Sequence, residues 1–453
     1  MCTDRLRRFS VCTSALALCA ALGFAGPLQA APEIQTWQAA SGARVLFVAS
    51  PELPMVDVNL IFDAGSARDG ERSGLASTTA DMLTQGAGDW DADAIAARLE
   101  AVGAKLGTSA DRDMTTVSLR TLTRQPAMDT AVETLATLVS TPTFADADLE
   151  RERRNRLIAL RQDEESPRTV GQKALYRKIF GSHPYGADPS GTAETVAQIT
   201  REDLIAFHRR HYTGANALVA IVGALDRPQA EALADRITAG LPKGERPAPL
   251  PGVSDLDAAV TEQIVFPSSQ TTVVAGQPGM RRGDPDYFAL YVGNHILGGS
   301  GLVSLLMEEI REKRGLSYST YSYFLPMAQP GPFLMGLQTK NDQAVQAREV
   351  MLDTLRRFIA SGPSEAELTA AKKNITGGFP LRIASNSDIV RYLAVIGFYD
   401  LPLDYLDRFT DRIDAVTAEQ IKDAFSRRLD PDRLAVVVVG GGTEQAARVG
   451  GDG

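Results

Sequence analysis

Histidine and cysteine are the commonest side-chain ligands of zinc, and cysteine is also a nucleophile that histidine can activate; this 453-residue chain has four of the first and three of the second. Cys2, Cys12 and Cys19 all lie in the first thirty residues. The rest of the chain therefore has no thiol to act as nucleophile, disulfide half or metal ligand. His208 and His211, at i and i+3 of a helical stretch, are close enough to share an ion. They lead straight into the apolar run 218–223, however, which suits a structural role better than a ligand pair. His183, in Ser182-His183-Pro184-Tyr185-Gly186, and His295, inside an apolar helical stretch, stand alone.

The elements around these residues begin after a segment of different character. Arg5, Arg7 and Arg8 precede an apolar run over 11–24, and small residues follow at Ala30 and Ala31. This reads as a secretory signal peptide, residues 1–30, cleaved after Ala30, and it places the chain in the periplasm or outside the cell. The run is shorter than the roughly 20 residues that span a bilayer, so no membrane span is expected once it is removed. Its loss takes away Asp4 and three arginines, a net +2, and moves the formal charge from −9 to −11. So acidic a chain, with no basic stripe, is a poor partner for nucleic acid.

Beyond residue 30 the chain repeats itself. Ile199-Thr200-Arg201-Glu202-Asp203-Leu204 leads to the run 218–223, and Val416-Thr417-Ala418-Glu419-Gln420-Ile421 leads, at the same spacing, to 435–440. Each copy opens with a threonine and an acidic or amide residue three positions on, a capping box, and ends in a β-branched run stopped by glycine. Asp146-Ala147-Asp148-Leu149 and Glu365-Ala366-Glu367-Leu368 agree with that register to within two residues, each at the start of a long amphipathic helical stretch. Gly362-Pro363 stops one helix, and Ser364 with Glu367 caps the next. Strand alternation recurs over 44–48, 56–62 and 115–120. The fold expected is α+β, with two homologous domains at 31–240 and 258–440, each a mostly antiparallel sheet packed against helices. They are joined by a proline-rich linker, 241–257, and followed by a glycine-rich, disordered tail, 441–453.

The stretch Glu71-Arg72-Ser73-Gly74-Leu75-Ala76-Ser77-Thr78-Thr79-Ala80-Asp81 follows a strand and opens a helix. It resembles the zinc site of the pitrilysin, insulinase and mitochondrial processing peptidase family. In active members of that family Gly-Leu-Ala precedes His-x-x-Glu-His, two ligands on one helical face with a glutamate as general base. Ser77, Ala80 and Asp81 stand at those three positions here. The family's third ligand, a glutamate on a helix some 75 residues downstream, is expected at Ile158 or Ala159. The resemblance thus implies a chain that binds no metal of its own.

A second stretch in the other half carries the family's C-terminal motif. Asn294-His295-Ile296-Leu297-Gly298-Gly299-Ser300-Gly301-Leu302 is a glycine-rich turn leading into a helix with Leu306 and Ile310 on one face, a stop at Gly315 and a strand beginning near Tyr318. By composition alone Arg311 is a solvated charge at a helix end and Tyr318 half-buried sheet filler. By resemblance they are the arginine and tyrosine that face the zinc across a central cavity, donors suited to hold a substrate carbonyl and the oxyanion formed from it.

The resemblance implies a division of labour. The chain would be the non-zinc subunit of a heterodimeric zinc metallopeptidase that degrades peptides, inactive alone, with Arg311 and Tyr318 acting in trans on a substrate held at the zinc of a His-x-x-Glu-His partner. No cofactor is expected in this chain, and zinc in the partner. A catalytically inert scaffold and a peptide-binding module of the same fold are the other two functions it allows.

Overall fold

The computed structural model describes residues 33–441. The expected signal peptide and residues 442–453 of the expected tail lie outside them. Strands are β1 Gln35–Gln38, β2 Arg44–Ala49, β3 Met55–Phe62, β4 Gly86–Ala87, β5 Trp90–Asp91, β6 Lys105–Ala110, β7 Thr115–Leu122 and β8 Ala217–Gly223 in the first half. In the second they are β9 Val260–Val265, β10 Gln270–Pro278, β11 Thr320–Phe324, β12 Pro332–Lys340 and β13 Ala435–Gly440. β4 and β5 form a small separate ribbon.

The two large sheets have the same topology. The first runs β1-β2-β8-β3-β7-β6 and the second β11-β12-β10-β13-β9. In each, one parallel pair, β2 with β8 or β9 with β13, is followed only by antiparallel neighbours. Reading the second sheet backwards superimposes β9, β13, β10, β12 and β11 on β2, β8, β3, β7 and β6. The sequence repeat is thus a repeat of architecture, an α+β fold used twice.

The helices that position the sites are α1 Leu75–Met82, α2 Asp146–Glu164, α3 Pro167–Phe180, α4 Arg201–His211, α5 Leu305–Met307, α6 Glu365–Arg382, α7 Asn386–Phe398 and α8 Ala418–Arg428. The capping boxes expected at Thr200/Asp203, Ser364/Glu367 and Thr417/Gln420 are all present at the starts of α4, α6 and α8. One expectation fails: α2 is not amphipathic. Of its 19 residues only Leu149 and Leu160 are buried, and pairs such as Arg151 with Asp148 (2.7 Å) line its surface. It is a polar helix held by i,i+3 and i,i+4 charges and by the groups it faces.

The halves are joined by an exchange of helices. In β8, Val219 and Ile221 face the first half's own core, whereas Leu218, Ala220 and Val222 join a cluster containing Val390, Leu393 and Ile396 of α7, from the second half. Reciprocally, Val437 and Val439 of β13 pack with Ala174, Leu175 and Ile179 of α3, from the first half. Each sheet is thereby covered on both faces, which is why β8 and β13 are continuous apolar runs rather than alternating ones. Between the halves, residues 241–257 contain no helix or strand. This segment is nonetheless tied down: Arg68 Nη1 donates to Ala248 O, Gln329 Nε2 to Leu250 O, and the His183 ring nitrogen Nε2 lies 2.9 Å from Pro251 O.

Candidate functional site

Helix α1 is short and rich in Ser and Thr, a sequence with little intrinsic helix propensity. Its start is set from outside. Gly74 adopts φ 96°, a left-handed conformation costly for any side chain, and an added Cβ would come 3.0 Å from Ser190 O. The buried Asp69 carboxylate accepts from the N–H groups of Gly74 (2.8 Å) and Ala76 (2.7 Å), satisfying donors that the helix start leaves free. Burial pushes the Asp69 carboxyl up to about 7, against those backbone bonds, which favour its ionised form. The hydroxyls of Thr78 and Thr79 fold back onto the carbonyls of Gly74 and Leu75.

Ala80, at the position of the family's general base, is fully buried and has no group to move a proton. Ser77 and Asp81, one turn apart, face α2, and what they meet there is a cation belonging to the chain. Arg156 Nη1 donates to Ser77 Oγ at 2.9 Å, its Nη2 pairs with the Asp81 carboxylate, and its Nε lies 3.0 Å from Glu152 Oε1. The Arg156 side chain is 11% exposed. Burial raises the pKa of both Asp81 and Glu152, and the Arg156 charge opposes the rise. Ser77 Oγ also donates to Pro189 O (2.8 Å), so its proton is committed and one lone pair accepts from Arg156.

The residue that α2 presents to this face is therefore Arg156, not Ile158 or Ala159. Ile158 is 53% exposed and Ala159 is exposed beside it, both turned to solvent. On a helix, Glu152 and Arg156 share a face, Ile158 two positions further on lies opposite to it, and Ala159 brings only a methyl group. Zinc does not fit these residues. A divalent ion needs three converging neutral or anionic donors, whereas here a guanidinium already compensates the two carboxylates and would repel the ion. Among the described residues no group of three or more His, Cys, Asp or Glu is placed to hold a metal.

Arg311 and Tyr318 are brought together. The Arg311 guanidinium carbon sits 4.8 Å from the centre of the Tyr318 ring, a cation–π contact. The intervening chain differs from expectation. Leu306 and Ile310 are both fully buried as expected, but α5 lasts only three residues before becoming a π-helical turn, Glu308–Glu312, that carries Arg311. Gly315, at φ 61°, then reverses the chain. The strand starts at Thr320, near Tyr318 as expected, but Tyr318 stands just outside it and is no sheet filler: it is 82% exposed. Nearby cations are all engaged. Glu309 pairs with Lys313 (2.7 Å), Arg314 (2.9 Å) and Arg357 (3.1 Å), and chiefly the hydrogen bond from Lys313 holds its carboxyl down at about 2. Arg311 is left out of that network, with only a 3.5 Å contact to Glu312.

The histidines are structural. His208 Nε2 bonds Val139 O at 2.9 Å and its ring stacks on Tyr212. His211 is 4% exposed, and burial pushes its imidazole down to about 4. His183 accepts from Tyr185 N–H through Nδ1 while Nε2 reaches Pro251 O. Burial lowers the pKa of His295 also. The residue missed by sequence reasoning was Arg156; its i,i+4 pairing with Glu152, one helix turn along a polar helix, was the available signal.

These features define a class: a duplicated α+β protein with the framework of a zinc metallopeptidase, in which an arginine pairs with the residues at the zinc-motif positions. Residues 44–193 match the model of the insulinase family, peptidase family M16, and residues 198–375 the model described as the peptidase M16 inactive domain. The chain belongs to peptidase family M16, as a member of the inactive type. The crystal structure of a peptidase M16 inactive domain from Pseudomonas fluorescens is similar, with a TM-score of 0.87 and 40% identity, covering 90% of this chain and 98% of that one. An uncharacterized zinc protease of Mycobacterium tuberculosis is 28% identical over 403 residues, 88% of this chain and 91% of the relative. A non-peptidase homolog of Helicobacter pylori, YmxG, is 26% identical over 402 residues, 87% and 91% of the two chains.

Proposed function

We propose that this chain is the non-zinc subunit of a two-chain metallopeptidase that degrades peptides, inert alone, and that it supplies Arg311 and Tyr318 to a substrate held at the zinc of a His-x-x-Glu-His partner of the same family. The observation that carries the reading is a contrast between two sites. At one, Arg156 neutralises and closes the former metal position. At the other, an arginine whose carboxylate contact is limited to Glu312 at 3.5 Å and a highly exposed tyrosine lie against each other. A guanidinium and a phenol held next to each other are donors suited to a carbonyl oxygen that gains charge during attack. The partner would provide the metal-activated water, and this chain the positioning and charge stabilisation. Export by residues 1–30 belongs to the same proposal. Among the described residues no helix is long and apolar enough to cross a membrane.

The test is peptide cleavage by the purified chain, by a His-x-x-Glu-His relative from the same source, and by their mixture. Cleavage is expected only from the mixture, falling about 100-fold with Arg311→Ala and about tenfold with Tyr318→Phe. Full activity with both substitutions would overturn the role in trans. The Helicobacter relative's description as a non-peptidase homolog favours a second reading, an inert scaffold or peptide-binding module. Saturable peptide binding with no turnover in any mixture would establish the binding module.

A further inference from the structure

A cavity of about 470 Å³ opens on the seam between the halves, beneath the linker. Besides Arg68, which is taken up by Asp63, three guanidiniums line it: Arg246, from the linker, and Arg281 and Arg282, from the turn after β10. That turn is fixed by Arg282 N–H donating to Met327 O at 2.8 Å. Among the described residues none of the three arginines has a carboxylate within ion-pair distance, although the chain carries 56 acidic against 47 basic residues. Arg282 is the most constrained. Its guanidinium lies between the rings of Tyr399 (5.7 Å) and Tyr287 (6.0 Å), and its Nε is buried without a hydrogen-bond partner.

The carboxylates of the cavity wall are already committed. Asp63 is held by both arms of Arg68, at 2.8 and 2.7 Å. Asp113 accepts from Tyr185 Oη (2.5 Å), Tyr399 Oη (2.9 Å) and Ala328 N–H (2.7 Å), and Asp400 pairs with Arg44. Donors thus outnumber acceptors in a pocket of small-molecule size. A buried guanidinium nitrogen with no acceptor is costly unless a ligand supplies one.

We propose that this cavity binds a small polyphosphate-type anion, with Arg246, Arg281 and Arg282 as its ligands. Guanidinium forks match pairs of phosphate oxygens, and three unpaired charges from two segments suit an anion with several charges rather than a single carboxylate. Bound there, it would bridge the linker to the second half. The site is independent of Arg311 and Tyr318, so its failure would leave the proposed peptidase role untouched.

Isothermal titration of the purified full chain with tripolyphosphate tests this. One-to-one binding is expected, stronger than for pyrophosphate, weakening with added salt, and at least tenfold weaker in Arg281→Ala and in Arg246→Ala. Both arginines are exposed, so these variants should fold. Arg391→Ala, which removes an arginine 70% exposed on α7, should bind as the unaltered chain does. Absence of saturable binding, an equal loss in Arg391→Ala, or tighter binding of a glutamate peptide of equal charge would overturn the assignment.

Discussion

At the scale of single residues, a guanidinium stands against Ser77 and Asp81, two positions of the family's zinc motif, and Asp81 and Glu152 depend on it. With Arg156→Ala the two carboxylates would face each other without a counter-charge. Because Asp81 is partly solvated, the loss of stability in urea unfolding should be about 1–3 kcal/mol at neutral pH, and smaller in acid, where the carboxyls protonate. An unchanged unfolding midpoint would mean that the cluster contributes nothing. His211 gives a second test. Its folded pKa of about 4 lies below the ordinary value of 6.5, so its contribution is fully present above pH 6.5 and is lost as pH falls towards 4. Stability should drop by about 2–3 kcal/mol over that window, and His211→Gln should flatten the slope. Ser77, Ala80 and Asp81 were legible in the sequence as the place where chemistry was missing. Arg156 was not, because a shift of two residues on a helix changes the face entirely.

At the scale of elements, local signals read well and long-range ones did not. The three capping boxes and the strands at 44–49, 55–62 and 115–122 arise from interactions within a few residues, so the sequence displays them. The π turn holding Arg311 and the short α5 before it were not legible, because the i, i+4 spacing of Leu306 and Ile310 reads as ordinary α-helix. The helix exchange is long-range in the same way: α7 carries no mark that it will cover the other half's sheet. It does so closely enough that a Cβ on Gly397 would come within 2.7 Å of Leu218 Cδ2. Gly397→Val should therefore destabilise the protein by about 1–3 kcal/mol through overpacking, seen as a lower thermal midpoint. A neutral result would mean that α7 is only loosely seated on β8.

At the scale of the whole molecule, duplication accommodates the proposed division of roles. Two copies of one architecture, locked by exchanged helices, hold a closed former metal position in one half and an open Arg311–Tyr318 pair in the other. A closed position in one half and an open pair in the other suit the proposed subunit that works beside a partner, which the mixing experiment tests. All of this rests on the chain having no zinc of its own. The most direct measurement is the zinc content of the purified chain after equilibration with the metal and removal of the excess. The expected result is far less than one zinc per chain, the same in Asp81→Ala as in the unaltered protein. One zinc per chain, lost on Asp81→Ala, would contradict it.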